Sequence, residues 1–162
     1  MSSAPVAPFL KAIRSVPFAL LLFTLFHLPT ASAGPAEDAN ATVDRWSAAY
    51  TSNDPEAIVK YYTPDAILLG TVSPIMSVGT DAIRTYFGAV KGTGNKNTIT
   101  DRRTIVLSDN SVVVTGFYVF TRMKDGQASP SPSRFTMLLV KNGDGEWRIA
   151  HHHSSPHVQP KS

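Results

Sequence analysis

The apolar positions after residue 41 recur with the period of an α-helix. Val43, Trp46 and Tyr50 lie three and four residues apart, so their side chains share one face. The positions between them are mostly polar or small, which is typical of a helix with one buried side. This pattern predicts a helix over Thr42–Asn53.

A second helix start follows directly at Asp54-Pro55-Glu56. Aspartate is a common N-cap, proline fits the first helical turn, and glutamate suits the positive end of the helix dipole. We expect this helix to be short and to end near Tyr62, where Thr63-Pro64-Asp65 interrupts the pattern. The apolar run at residues 66–70 then predicts a strand.

A third helix is predicted after Thr80 or Asp81, which are its candidate caps. Beyond a polar loop at residues 91–97 the pattern changes to the two-residue period of strands. Short turns separate these strands, so consecutive strands should pair antiparallel. The predicted strands are Thr98–Leu107, Val112–Met123, Ser133–Asn142 and Glu146–Ser154, with turns at Asp109-Asn110, Asp125-Gly126 and 142–145 and a loop at Ser129-Pro130-Ser131-Pro132. Helices followed by a meander predict an α+β domain with the helices on one face of a curved sheet.

The N-terminal segment has the pattern of a cleaved export signal. Lys11 and Arg14 precede an apolar stretch at residues 16–26, and Ala31-Ser32-Ala33 supplies the small residues of a cleavage site. The apolar stretch is shorter than the roughly 20 residues that span a bilayer. We therefore expect a periplasmic or secreted protein, divided into a signal peptide at 1–33, a flexible leader at 34–41, one domain at 42–157 and a disordered tail at 158–162.

Composition narrows the classes of partner and of chemistry. The signal carries two of the 15 Lys and Arg residues and none of the 12 Asp and Glu residues, so the remaining chain is nearly neutral. That balance argues against nucleic acid or an anionic membrane as a partner. The chain has no cysteine, which excludes disulfides, thiol catalysis and zinc–thiolate sites.

The last predicted strand has the highest density of candidate functional side chains, in the run His151-His152-His153-Ser154-Ser155. Side chains alternate along a strand, so Trp147, Ile149, His151 and His153 should share one face, and His152 and Ser154 the other. His151 and His153 then form a candidate metal pair, with a third ligand such as His157 or an acidic residue. His152 and Ser154 form a candidate cavity pair, and a polar strand end without chemistry is the third alternative.

Other candidates lie outside this strand. Thr71 ends the first strand, Tyr86 lies on the inner side of the third helix, and Tyr118 and Arg134 lie in central strands. Tyrosines in such positions are commonly core residues with a hydrogen-bonded hydroxyl. The chain has no Gly-x-Ser-x-Gly elbow and no His-Glu-x-x-His helix, and Gly92-Thr93-Gly94 lacks the strand and helix that flank a phosphate loop.

Several motifs together resemble the association-domain branch of the nuclear transport factor 2-like superfamily, which includes the association domain of calcium/calmodulin-dependent protein kinase II. The resemblance spans residues 42–156 and implies a cone-shaped fold, with three N-terminal helices packed on a curved antiparallel sheet, that dimerises through the sheet. Within that branch the terminal pentapeptide is similar to that of the iota-class carbonic anhydrases. The motifs are Trp46 to Pro55, Tyr62-Thr63-Pro64-Asp65-Ala66, Ile83-Arg84-Thr85-Tyr86-Phe87, Arg134-Phe135-Thr136, Trp147-Arg148-Ile149 and residues 151–155.

The resemblance implies a bicarbonate site made by Thr71, Tyr86, His152 and Ser154, with Ser73 as an alternative to Thr71. It implies reversible hydration of carbon dioxide, in which His152, alone or through Ser154, accepts a proton while Thr71 and Tyr86 donate hydrogen bonds to the developing oxyanion. No cofactor is required by this scheme, and zinc or manganese at His151 and His153 is the metal-dependent version.

Two other functions stay open from the sequence. One is a non-catalytic homodimer that binds a small ligand or serves in assembly. The other is proton transfer on a polyketide-like or steroid-like substrate, as in SnoaL-like and ketosteroid isomerase relatives of the fold. That chemistry needs a carboxylate base inside the cavity, and a buried aspartate opposite Tyr86 would favour it.

Overall fold

Helices form the N-terminal part of the domain and a six-stranded sheet forms the rest. The computed structural model describes Met1, residues 34–124 and residues 127–158. The strand order is β2-β1-β6-β5-β4-β3, antiparallel throughout except for the parallel pair β1–β6. The elements are α1 (Pro35–Ser52), α2 (Pro55–Val59), β1 (Tyr62–Leu69), β2 (Met76–Val78), α3 (Gly79–Gly88), β3 (Lys96–Ser108), β4 (Ser111–Lys124), β5 (Gln127–Lys141) and β6 (Trp147–Pro156).

This architecture confirms the α+β prediction and the antiparallel meander from β3 to β6. The core lies between the helices and one face of the sheet, where Trp46, Ile83 and Phe87 pack against residues of β4, β5 and β6. The predicted signal peptide at 1–33, the Asp125-Gly126 turn and residues 159–162 of the predicted tail lie outside the described residues, apart from Met1. None of the described helices is long and apolar enough to cross a membrane.

The first helix begins earlier than predicted. Residues 34–41 were expected to be a flexible leader, but α1 starts at Pro35, and Ala39 is fully buried. Proline in the first turn and the acidic residues Glu37 and Asp38 near the positive end of the dipole favour a helix here. The prediction was wrong because a single small core-facing alanine gives a weak periodic signal.

The segment after α2 is a strand where a break was predicted. The second helix ends at Val59 instead of near Tyr62, and β1 runs through Thr63-Pro64-Asp65. The register between β1 and β6 shifts between Tyr62 and Ile67, so these residues lie in an irregular stretch where proline interrupts no regular ladder. The short β2 pairs with β1 and was not predicted, and Val78, instead of Thr80 or Asp81, is the N-cap of α3.

The predicted loop at Ser129-Pro130-Ser131-Pro132 is also part of a strand. Each of these residues pairs with a residue of β4. The carbonyl oxygen of Pro132 accepts a hydrogen bond from the backbone N–H of His157, on the side away from β4. In an extended strand the N–H and C=O groups of one residue point to the same side. The N–H that Pro132 lacks would therefore also point away from β4, so the β4–β5 ladder is not interrupted.

A β-bulge at Ala150 changes the face assignment of β6. Ile149 pairs with Leu139 of β5, whereas His151 pairs with Leu138, so Ala150 is the extra residue. Trp147 and Ile149 therefore share the core face with His152 and Ser154, and the prediction that placed them with His151 and His153 was wrong. The separation of His152 and Ser154 from His151 and His153 is as predicted, because it depends only on the regular part of the strand after the bulge.

Candidate functional site

A cavity of about 340 Å³ lies between the helices and the core face of the sheet. Its walls are largely aromatic and include Trp46, Tyr50, Phe87, Tyr118 and Phe120. All four residues of the predicted bicarbonate site line it as well, namely Thr71, Tyr86, His152 and Ser154. The fold thus brings together residues from the end of β1, from α3 and from β6.

The ring of His152 is positioned by the hydroxyl of Tyr62, which is itself hydrogen-bonded to Trp46. Its Nδ1 atom lies 2.8 Å from the hydroxyl of Tyr62, and that hydroxyl accepts a hydrogen bond of 3.1 Å from the Nε1–H of Trp46. All three side chains are buried. Burial, with smaller contributions from His151 and His153, lowers the pKa of His152 to about 3, so the imidazole is neutral at neutral pH.

The direction of these hydrogen bonds determines the tautomer of His152. The indole nitrogen of Trp46 can only donate, so the oxygen of Tyr62 accepts from it. The one proton of the Tyr62 hydroxyl is satisfied by donation to Nδ1 of His152, which makes Nδ1 an acceptor. The ring proton of neutral His152 is therefore on Nε2, which faces the Tyr118 hydroxyl at 3.4 Å.

A group of three hydroxyls continues from His152 along the cavity. The Tyr118 hydroxyl donates to Oγ of Ser154, and Ser154 is hydrogen-bonded to Oγ1 of Thr71. Burial raises the pKa of Tyr118 and of Tyr62 above the ordinary value, so both phenols stay protonated. These three hydroxyls, the hydroxyl array, present hydrogen-bond donors to the cavity. The sequence predicted that His152 accepts a proton, but in this tautomer its Nε2 atom already carries one and is not an acceptor.

We predict that Tyr62→Phe changes the tautomer of His152 without removing the ring. The variant loses the donor to Nδ1, so the Nδ1–H form should become populated, as read from the ¹⁵N chemical shifts of a histidine-labelled sample. Tyr61→Phe, at the neighbouring tyrosine, should leave the Nε2–H form unchanged. An unchanged tautomer in Tyr62→Phe would contradict the hydrogen-bond directions given above.

Tyr86 occupies its place because residue 70 is glycine. A Cβ atom at Gly70 would overlap the ring and the hydroxyl of Tyr86. Burial raises the pKa of Tyr86, while a hydrogen bond from the Thr71 backbone and the charge of Arg122 oppose that rise. The phenol therefore stays a donor at the cavity wall, next to the Thr71–Ser154 pair.

Gly70→Ala should displace Tyr86 and destabilise the fold by about 1–3 kcal/mol, the usual cost of overpacking. Denaturant unfolding measures this effect. Gly143→Ala is the matched control, because a Cβ there meets no atom within 4 Å. The cost of Gly70→Ala should shrink when Tyr86 is also alanine, and equal costs in both backgrounds would refute the contact as its cause.

Tyr118 also lines this cavity, whereas Ser73, Arg134, His153 and His157 lie away from it. The Ser73 hydroxyl bonds to the backbone of Ile75, so Thr71 and not Ser73 is the cavity hydroxyl. His153 and Arg134 line a separate depression of about 360 Å³ on the outer sheet face. The His157 ring stacks on Phe117, with 4.5 Å between ring centroids.

The proposed metal pair has no further protein ligand in the described part of the chain. No group of three or more His, Asp or Glu residues that could hold a metal ion occurs there. His151 and His153 lie on the outer face of the sheet, opposite the cavity. This donor set does not fit a three-ligand metal centre.

Sequence reasoning missed three residues that shape the site. Trp46 and Tyr62 were noted only for the helix pattern and as parts of motifs, and Arg122 at the cavity rim was not singled out. Asp and Glu are absent from the residues that line the described cavity, so the carboxylate base of a ketosteroid isomerase-type site is not present there. The two-residue period of β4 could have pointed to Arg122, because it lies two residues after Phe120.

Comparisons with known proteins agree with the fold. The model of the SnoaL-like domain family matches residues 39–159. A crystal structure from Xanthomonas campestris, described as a calcium/calmodulin-dependent protein kinase II association domain, has 33% identity and a TM-score of 0.73, covering 80% of this chain and 93% of that one. A comparison with curated proteins finds no match.

Two more distant crystal structures share the fold. A ketosteroid isomerase-like protein from Erwinia carotovora atroseptica has 22% identity and a TM-score of 0.64, covering 77% of this chain and 97% of that one. A protein described as a dehydratase of the nuclear transport factor 2-like family, from Streptomyces avermitilis, has 17% identity and a TM-score of 0.68, with the same coverage. At these identities the likeness concerns the fold alone.

Proposed function

This chain belongs to the SnoaL-like domain family, and from that premise we propose that it catalyses the reversible hydration of carbon dioxide to bicarbonate. The observation that carries the proposal is the convergence of Thr71, Tyr86, His152 and Ser154 on one cavity. These residues come from three separate elements, and two of them are directly hydrogen-bonded to each other. They are the same four that the resemblance to iota-class carbonic anhydrases selects.

The proposed chemistry uses the site as a set of hydrogen-bond donors. The oxygen of a water molecule forms a bond to the carbon of carbon dioxide, and one C=O electron pair moves onto an oxygen atom. Thr71 and Tyr86 donate to that oxygen as its charge develops, which is the role of an oxyanion hole. Ser154, which accepts from Tyr118, orients the Thr71 hydroxyl for this donation.

His152 stays neutral in this scheme. Its Nε2–H faces the hydroxyl of Tyr118, which in turn donates to Ser154. A base with a pKa of about 3 is too weak to take a proton from water at neutral pH. The proton of the attacking water therefore leaves to a buffer base in the solvent at the cavity mouth. The rate at fixed pH should accordingly rise with buffer concentration. No step of the scheme uses a metal.

Stopped-flow measurement of carbon dioxide hydration by the purified protein, with and without a chelator, tests the proposal. We expect hydration above the buffer rate in both conditions. A rate equal to buffer in both conditions would refute the proposal. A rate that disappears with chelator and returns with added zinc or manganese would refute the metal-independent mechanism.

A second candidate is proton transfer on a larger organic substrate, as in the isomerase-like and dehydratase relatives of the fold. The volume of the cavity favours it, because about 340 Å³ is typical of pockets for small organic ligands and is far more than carbon dioxide needs. With no carboxylate among its described lining residues, the cavity would have to use Tyr118, His152 and Ser154 for this chemistry. Exchange of a substrate α-proton with deuterium from solvent would identify it.

We also propose that the protein acts outside the cytoplasm, on the basis of the export-signal pattern at residues 1–33. We further propose that it is a homodimer joined through the outer face of its sheet. The support for a dimer is that Ile105 and Phe117 are exposed on that face. Light scattering should give twice the monomer mass, and Ile105→Lys should reduce it to the monomer. Ile75→Lys, at another exposed isoleucine, should not. A wild-type monomer would refute the assembly.

A further inference from the structure

An arginine stands at the rim of the aromatic cavity. Tyr118, Phe120 and Arg122 are successive residues on the core face of β4, and they progress from buried to half-buried to exposed. All three line the cavity. At about 3.3 Å per residue, the Cα atoms of Tyr118 and Arg122 are roughly 13 Å apart. The strand therefore runs from the hydroxyl array at the inner end of the cavity to a guanidinium at its mouth.

The guanidinium of Arg122 has no hydrogen bond or ion pair with any other residue that the structure describes. Other arginines of the domain, such as Arg84 and Arg102, are paired with carboxylates. The positive charge of Arg122 acts on the cavity itself. Tyr50 and Tyr86 line the same cavity, and the charge of Arg122 opposes the rise in pKa that burial causes at both phenols.

Asn95 adds a polar group to the same lining. Its Oδ1 atom accepts a hydrogen bond of 3.2 Å from the backbone N–H of Met123. Asn95 also opposes the rise in the pKa of Tyr50 that burial causes, as a hydrogen-bond donor near that hydroxyl does. With Oδ1 oriented towards Met123, the amide N–H₂ is the part of Asn95 that remains for Tyr50 and the cavity. The mouth thus combines a cation with neutral donors.

We propose that this cavity binds an organic monocarboxylate with an aromatic or alkyl body. The carboxylate lies at Arg122, whose planar guanidinium matches it in charge and shape. The apolar body packs against Tyr50, Phe120 and Trp46, and its far end reaches the Thr71–Ser154 pair. Because binding needs no turnover, this inference does not depend on carbon dioxide being the substrate.

Titration calorimetry with 3-phenylpropionate and its neutral amide, 3-phenylpropanamide, tests the inference at pH 7.5 and low salt. We expect the wild-type protein to bind the carboxylate about tenfold more tightly than the amide. Arg122→Gln should remove that preference while leaving the affinity for the amide unchanged. Arg134→Gln is the matched control, because Arg134 is exposed on the opposite face of the sheet and should keep the preference.

Equal affinities of the wild-type protein for the acid and the amide would overturn the inference. So would a preference that survives Arg122→Gln, or the lack of saturable binding at millimolar concentrations. Carboxylate binding without carbon dioxide hydration would refute the proposed reaction and leave this inference standing. Hydration without carboxylate binding would do the reverse.

Discussion

Replacing Ser154 by alanine should lower the rate of carbon dioxide hydration by about 10²–10³-fold, the usual effect of losing one oxyanion donor, because Ser154 orients the Thr71 hydroxyl that donates. Ser154 accepts a hydrogen bond from Tyr118 and is hydrogen-bonded to Thr71, so its loss removes the acceptor of the Tyr118 proton and the hydroxyl partner of Thr71. The Thr71 hydroxyl would then no longer be oriented towards the reacting oxygen. Stopped-flow kinetics at saturating carbon dioxide measures the loss in kcat.

Ser155→Ala is the matched control for this prediction. Ser155 is the next residue of β6, pairs with Arg134 and lies on the outer face of the sheet. We expect this variant to keep the wild-type rate and a similar unfolding free energy. Equal activity of Ser154→Ala and the wild type would contradict the assignment of the cavity as the reaction site. Equal losses in the two serine variants would point to a general effect on the strand.

Acidification should destabilise the protein through His152. Burial lowers the pKa of this histidine to about 3, whereas in the unfolded chain it has the ordinary value near 6.5. Between these values the unfolded state binds a proton that the native state does not bind. The free energy of unfolding should therefore fall as the pH drops from about 6.5 towards 3, by up to about 1.4 kcal/mol per pH unit from this group.

Urea unfolding at a series of pH values measures that slope, and His152→Asn should reduce it. His153→Asn, on the exposed face of the same strand, should keep the wild-type slope. NMR titration of the His152 ring in the wild-type protein gives an independent check if the variant does not fold. A ring that takes up a proton near pH 6.5 in the folded protein would contradict the prediction.

Much of the fold follows from local patterns in the chain. The spacing of Val43, Trp46 and Tyr50 places α1, and the two-residue period with short turns places β3 to β6 as antiparallel neighbours. These signals are strong because each element buries one face. Weaker signals failed. The single buried Ala39 did not reveal the start of α1, and the prolines of β1 and β5 suggested breaks where the missing N–H interrupts no regular ladder.

The candidate site, like the fold, could be predicted from the sequence only in part. Alternation along a strand is a property of the chain alone, and it is sufficient to separate His152 and Ser154 from His151 and His153. The bulge at Ala150 could not be predicted, because it exists only in the register between β6 and β5. That register decides that His152 shares the core face with Ile149.

The partners of His152 were decided only by the tertiary structure. Tyr62 is 90 positions away in the chain and Trp46 lies still earlier, yet one donor-only indole and one phenol determine which nitrogen of the imidazole carries its proton. Hydrogen bonds at such separation leave no periodic trace in the sequence, and neither does the burial that lowers the pKa of His152. The sequence by itself therefore determined that His152 and Ser154 share one side of their strand, and the packing of distant elements decided that this side lines the cavity and that the imidazole is neutral there.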